Sequence, residues 1–181
     1  MSKRSEEIAA QIKASREEAA RVAEQFKQDQ IALNEKLYVQ NFYDIYVAGT
    51  QNAANGTNTH TTEKEKIAVV VKADTGRTPE GTPYARIIRN IGDPKYDDFE
   101  DCSVTGAYII PDGEEKVTIA IVNSFMASEA FSVYSYDTKN EDSSLVLETK
   151  RGEPAPDEFE KAYNFVEGAI SLNTQDVTPA E

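Results

Sequence analysis

The sequence contains no tryptophan, a single cysteine, a single histidine and no long hydrophobic run. The lone Cys102 cannot form an internal disulfide, and without a CxxC pair neither a disulfide scaffold nor a zinc ribbon is expected. The longest aliphatic run, Ile67–Val71, is far shorter than the roughly 20 residues that a membrane-spanning helix needs. The N-terminus lacks the apolar core of a signal peptide, so synthesis and folding in the cytoplasm are predicted.

The chain also lacks an excess of positive charge, with a formal net charge of −13. Residues 1–47 carry seven Lys/Arg and eight Asp/Glu, whereas the remainder carries twelve and twenty-four. An acidic body repels nucleic acid and anionic lipid. The basic residues of the N-terminal segment, such as Lys13 and Arg21, are mixed with glutamates rather than gathered in a basic stripe. We therefore expect neither a nucleic-acid nor a membrane partner.

The first 48 residues predict a long helical arm, because alanines and oppositely charged i,i+4 pairs are frequent and no proline occurs. Apolar or small residues follow spacings of 4, 3, 4, 3 and 4, which is typical of a coiled-coil seam. Asp29 interrupts the pattern and two leucines resume it. Gly49 is a plausible stop, and Phe42–Val47 could also form a short strand. The predicted oligomerisation or docking seam is Ile8, Ile12, Ser15, Ala19, Val22, Phe26, Leu33 and Leu37.

The rest of the chain predicts an α+β fold with a mainly antiparallel sheet, either a sandwich or a sheet covered by a helix. Residues 49–64 are polar and read as a linker, and residues 65–172 form the β-rich body. Alternating apolar residues predict the strands, with a turn at Pro111–Glu114 and a second hairpin across Asp137–Ser144. A capping Asp157 opens a predicted C-terminal helix over about 157–171, followed by a polar tail over 173–181.

Few residues suggest chemistry. His60 falls in the predicted polar linker, and Cys102 has an acidic setting that disfavours a reactive thiolate. Gly76–Thr82 has the glycine spacing of a P-loop but lacks its lysine. We expect no catalytic residue and no cofactor. Acidic residues within nine positions are weak candidates for a Ca²⁺ site, although their order fits no EF-hand: Asp93, Asp97, Asp98, Glu100 and Asp101.

The sequence favours a non-enzymatic structural or interaction protein that oligomerises or docks on a larger protein assembly. A virion accessory, such as a bacteriophage capsid, neck or tail protein, has this kind of architecture. Two alternatives stay open. One is a ligand-binding or enzymatic α+β domain whose pocket is lined by Tyr84, Tyr108, Tyr134 and Tyr136. The other is a cytoplasmic adaptor that recruits a partner through its coiled coil.

Overall fold

The computed structural model describes residues 2–64, 68–92 and 103–175 and shows an α+β fold, as predicted. The chain divides into two compact units, residues 1–38 and residues 39–181. The elements follow in the order α1 (Lys3–Asn52), β1 (Thr57–Lys64), β2 (Ala68–Arg77), β3 (Pro83–Gly92), β4 (Ser103–Pro111), β5 (Lys116–Phe125), β6 (Ser128–Asp137), β7 (Asp142–Glu148) and α2 (Asp157–Gln175).

The first unit consists of the N-terminal part of helix α1. Ser2 caps the helix, since its carbonyl accepts from the Ser5 amide at 2.9 Å and its side-chain hydroxyl lies 3.4 Å from the same amide. Polar pairs one turn apart support the exposed surface, as Gln28 donates to Glu24 at 2.9 Å. Residues 2–37 are all exposed. Propensity and local pairs therefore suffice to explain the helix in this unit.

The predicted helix stop at Gly49 is wrong, because α1 continues to Asn52, and residues 42–47 form no strand. A Cβ atom at position 49 would overlap the Thr75 side chain on strand β2. The glycine thus permits close approach of the helix to the sheet instead of ending the helix. Downstream, Thr50 donates from its hydroxyl to the Tyr46 carbonyl at 2.7 Å, which satisfies a polar side chain that is buried.

Among the described residues, seven strands form one antiparallel sheet in which each strand pairs with the next along the chain. The sandwich alternative is therefore wrong, and the helix-covered sheet is correct. Part of the predicted linker is also wrong, because Thr57–Lys64 forms the edge strand β1, paired with β2 from Thr57↔Gly76 to Lys64↔Val69. Threonine is β-branched and favours strands, and its hydroxyl suits an edge that borders water, so a polar segment without an apolar pattern forms a strand.

The central strands carry buried apolar side chains on both faces of the sheet. One face packs against α2, where Tyr108, Phe131 and Val133 form a cluster with Phe159 and Val166 of the helix. The other face carries alternate residues of the same strands, with Ile87, Ile109 and Ile119 fully buried. The C-terminal part of α1 contributes to this second side, where the Tyr43 ring stacks on Tyr136 at 4.1 Å. Helices on both faces explain why the strands are not amphipathic.

Helix α2 extends four residues past its predicted end, to Gln175. The predicted polar tail therefore begins inside the helix. Asn173 is held there because its side-chain amide donates to the Tyr84 hydroxyl at 2.5 Å and to the Arg77 carbonyl at 3.0 Å. These hydrogen bonds to the sheet stabilise a last turn that the local sequence does not predict.

Candidate interaction surface

The seam lies within the first unit and is a row of exposed apolar side chains. Its two leucines are 49% and 53% exposed, Phe26 is 66% exposed, and Ile8, Ile12 and Val22 lie between 48% and 58%. At about 100° of rotation per residue, all eight seam residues fall within a stripe about 80° wide. Exposed apolar rows of this length are unusual in proteins that act alone. The helix therefore presents one continuous surface suited to another helix.

A shallow groove of about 360 Å³ lies on this surface, lined by Arg21, Val22, Gln25, Phe26 and Asp29. Four of these residues stand at positions i, i+3, i+4 and i+7 of the helix. That diamond is the arrangement that accepts one side chain of a facing helix in knobs-into-holes packing. The groove can therefore receive an apolar side chain whose helix packs along the seam.

Asp29 is the polar interruption of the seam, and its carboxylate is turned to one side. Gln25 donates from Nε2 to the Asp29 Oδ1 atom at 2.8 Å. Because Gln25 lies at the rim of the seam, this bond holds the charge at the rim. The apolar surface consequently continues from Phe26 to Leu33 beside the carboxylate.

The remainder of the helix surface is charged and carries ion pairs within the helix. Arg21 donates two hydrogen bonds to Glu18, at 2.7 and 3.1 Å, and the Lys13 ammonium lies 3.9 Å from Glu17. These side chains are mostly exposed, so each pair contributes little to stability. Their effect is to keep one side of the helix solvated while the seam is left apolar.

The second unit offers two grooves, one beside each side of α2. One, of about 430 Å³, is lined by Ile88, Val104, Tyr108 and Tyr163 among others. The other, of about 380 Å³, is lined by Ile110, Val133, Lys161 and Phe165 among others. Both are predominantly apolar and shallow. Both grooves lie where the side of α2 meets the sheet, and neither has the converging polar groups of a ligand-binding pocket.

The four tyrosines that could have lined a pocket do not converge on one. Tyr84 and Tyr136 are almost completely buried, at 0% and 1% exposure, while Tyr108 and Tyr134 are 6% and 8% exposed. Burial raises the pKa of Tyr108 to about 12, with the nearby Glu167 carboxylate adding to the effect. Tyr108 and Tyr134 each touch a different groove. The side chains act chiefly as core of the sheet faces.

Arg86, on strand β3, is a partly buried cation whose side chain is 21% exposed. Its guanidinium donates to Asp74 Oδ2 at 2.7 and 3.1 Å and to both Glu167 oxygens at 2.9 Å. Burial disfavours the charged guanidinium, but the hydrogen bonds and charges of the two carboxylates outweigh that effect and raise its pKa. Arg86 thereby joins strand β2 to helix α2, and its Nε, Nη1 and Nη2 atoms all donate to the Asp74 or Glu167 carboxylate.

The other chemical candidates are located as follows. His60 lies in strand β1 rather than in a flexible linker, and its Nε2 atom is 3.0 Å from the Thr62 hydroxyl. Cys102 and the candidate metal ligands, Asp93, Asp97, Asp98, Glu100 and Asp101, lie outside the described residues. Within residues 2–64, 68–92 and 103–175, no group of three or more His, Cys, Asp or Glu side chains could hold a metal ion.

Comparison with protein-family models, with curated protein sequences and with solved structures gives no match. Within the part of the chain that the structure describes, neither helix has an apolar stretch long enough to span a bilayer. A functional interpretation therefore depends on the surface and its chemistry.

Proposed function

We propose that this chain is a non-enzymatic interaction subunit of a larger protein assembly and that it associates through the seam of α1. The observation that carries the proposal is the row of large apolar side chains from Ile8 to Leu37, each about half exposed, on a helix whose other side is charged. A stripe of this kind is the usual surface for helix–helix packing.

The free energy available from covering the seam is comparable in size to the free-energy cost of association. Complete burial of a large apolar side chain contributes about 1.5–3 kcal/mol, so covering the exposed half of six such residues contributes about 6 kcal/mol per helix. Two helices then contribute about 12 kcal/mol, which is comparable to the roughly 4–15 kcal/mol lost on association. Association through the seam is therefore favourable when more than two helices pack together, or when contacts outside the seam add to the buried area.

The body supports a structural role, because its buried charges serve to hold elements together. Arg86 forms ion pairs with Asp74 and Glu167. The Asp74 carboxylate also accepts a hydrogen bond from the Thr59 hydroxyl at 2.9 Å. A catalytic group needs a free donor, acceptor or lone pair directed at a bound substrate. This network instead fixes the edge of the sheet to α2.

The assembly that we propose is a virion, as an accessory protein of a capsid, neck or tail, and this part rests on architecture alone. A small β-rich body with a helical arm suits repeated docking on a large surface. In fractionated lysates of the natural source, the chain should sediment with particles. Recovery only as a free oligomer would contradict the virion placement and leave the interaction role in place.

The test of the interaction role is a double variant, Ile12→Asp with Val22→Asp, examined by light scattering coupled to size exclusion. Placing two carboxylates in the seam should weaken association roughly 100-fold or more, because each loses water without a partner. The matched control is Ala20→Asp with Ile31→Asp. It adds the same two charges to exposed positions on the other side of the same helix, where Ile31 is 52% exposed.

The body provides an internal check on folding, because all nine tyrosines lie at residue 38 or later. Tyrosine near-ultraviolet dichroism should therefore be unchanged in both variants. If the unmodified chain is an oligomer and the seam variant keeps the mass of both the unmodified chain and the control variant, the seam is not an association surface and the proposal fails.

A further inference from the structure

We infer that the partner covering the seam is the same helix from other copies of this chain, in a parallel, in-register bundle of three or more. This inference rests on the proposed function and adds to it the identity, direction and minimum number of the partners. The inference follows from the uncharged seam, from its flanks and from its period.

The seam is compatible with a copy of itself. From Ser5 to Gln28, no charged side chain falls within about 60° of the centre of the seam at about 100° per residue. Two copies can therefore approach face to face without burying like charges. The uncharged face is about 120° wide, which exceeds the narrow seam of a two-stranded coiled coil and suits a helix with two neighbours. Ser15 and Ala19 are small and allow close approach there.

The two flanks of the seam carry opposite charges, and all five residues are exposed. Between Glu7 and Asp29, one flank carries Glu7, Glu18 and Asp29 and the other carries Arg16 and Lys27. Successive members of each set are eleven residues apart. Nearer the end of the seam, Lys36 stands about five turns after Glu18 and adds a positive charge to the first flank. At about 1.5 Å per residue, Glu18 and Arg16 differ in height by about 3 Å, as do Asp29 and Lys27.

This distribution favours one direction of packing. In a parallel bundle, the acidic flank of each helix meets the basic flank of the next at nearly the same height. In an antiparallel pair, the acidic flank would meet the partner's acidic flank. Charges beside a seam set orientation and partner choice in this way. The helix is thus complementary to itself, and the two hydrogen bonds from Arg21 leave each Glu18 carboxylate oxygen with a further acceptor site.

The period of the seam predicts the geometry of the bundle. From Ile8 to Leu37 the seam advances 29 residues in eight turns, which is about 3.6 residues per turn and close to that of a straight helix. Val22 and Leu33 are eleven residues apart, as are Phe26 and Leu37. Within the seam, Ile12, Ala19, Phe26 and Leu33 follow one another at seven residues, which favours a left-handed supercoil over that stretch, and the displaced Leu37 favours straighter packing at its end.

The first test is cysteine cross-linking of the full chain in a Cys102→Ser background. Ser15→Cys and Leu33→Cys are made separately, and these seam positions lie about 27 Å apart along the helix. In a parallel, in-register bundle, both variants form disulfides between chains under mild oxidation. Ala20→Cys, on the other side of the helix, should not. Cross-linking at only one of the two seam positions would indicate an antiparallel pair and overturn the inference.

The second test measures mass and charge. Light scattering of the full chain should give at least three times the 20.0 kDa chain mass. Arg16→Glu should raise the dissociation constant at least tenfold, whereas Lys13→Glu, on the solvated side, should not. Exchanging both charges, Arg16→Glu with Glu18→Arg, should restore association.

The outcomes separate the two levels of the proposal. A monomeric full chain at high micromolar concentration overturns this inference and leaves the seam to a foreign partner, whereas a dimeric full chain overturns the minimum number of three helices. An oligomer whose mass does not respond to Ile12→Asp with Val22→Asp overturns the proposed function itself. Equal effects of Arg16→Glu and Lys13→Glu would refute the role of the flanks in setting a parallel direction.

Discussion

Replacement of Arg86 by methionine tests whether the ion network holds the body together. Methionine retains much of the length of the side chain but removes all donors toward Asp74 and Glu167. Asp74 is only 5% exposed at its side chain. Its carboxylate would therefore stay buried beside the vacated position, with the Thr59 hydroxyl as its remaining side-chain donor.

The expected loss can be worked out from burial. Breaking a buried pair by removing one partner costs about 3–5 kcal/mol. Because the Arg86 side chain is 21% exposed, water can reach part of the site, and we expect a loss near the lower end, about 3 kcal/mol. A protein of this size loses about 2–4 °C of Tm per kcal/mol, so Tm should fall by about 6–12 °C.

The assay is urea unfolding followed by tyrosine near-ultraviolet dichroism, which reports on residues 38 onward because no tyrosine precedes them. The matched variant is Glu167→Gln. The Glu167 side chain is 32% exposed, so its loss should cost about 1 kcal/mol. The double variant Arg86→Met with Asp74→Asn should cost less than the sum of the single variants, because the buried carboxylate is gone.

Two results would refute this reasoning. A loss below about 1 kcal/mol for Arg86→Met would mean that the network resembles an exposed ion pair and that water compensates for it. Strict additivity of Arg86→Met and Asp74→Asn would mean that the two side chains do not interact, contrary to the 2.7 Å distance between Nη2 and Oδ2.

Two further predictions concern pH and a turn. Burial raises the pKa of both Tyr46 and Tyr108 to about 12. In the unfolded chain the same hydroxyl groups lose their protons near pH 10. The contribution of these tyrosines to the free energy of unfolding should therefore be constant below about pH 10 and fall by about 2–3 kcal/mol per tyrosine toward pH 12. Urea midpoints across this range measure the fall, and Tyr46→Phe should reduce it by about 2–3 kcal/mol. Met126 and Ala127 connect β5 to β6 with φ of 49° and 60°, so Ala127→Gly should raise the free energy of unfolding by about 1 kcal/mol. Ala130→Gly, inside β6, should instead lower it by a similar amount, about 1 kcal/mol; a loss of stability in both variants would contradict the turn assignment.

Local patterns predicted most of the fold. The alternation in Val117–Ile121 and the Pro111–Glu114 turn predicted the β4–β5 hairpin, and the structure pairs Pro111 with Val117 around Gly113, whose φ is 82°. The capping Asp157 predicted the start of α2. Each of these features depends on neighbours within a few residues, so the sequence contains the information directly.

Other features could not be predicted because they depend on residues distant in sequence. Strand β1 has no apolar alternation and exists because β2 pairs with it. Gly49 resembled a helix stop until its contact with Thr75 gave it a different role. The Arg86 network joins residues 12 and 81 positions away. In each case the side chain alone permits several environments, and long-range packing selects one.

For the candidate surface, the sequence by itself determined which side of the helix is apolar, because a period near 3.6 places Ile8 through Leu37 in one stripe whatever surrounds it. Only the tertiary structure decided that this stripe is exposed while Val39, Phe42 and Tyr46 of the same helix are buried. The physical reason is that periodicity defines a helix face, whereas burial depends on which other elements come within contact distance of that face.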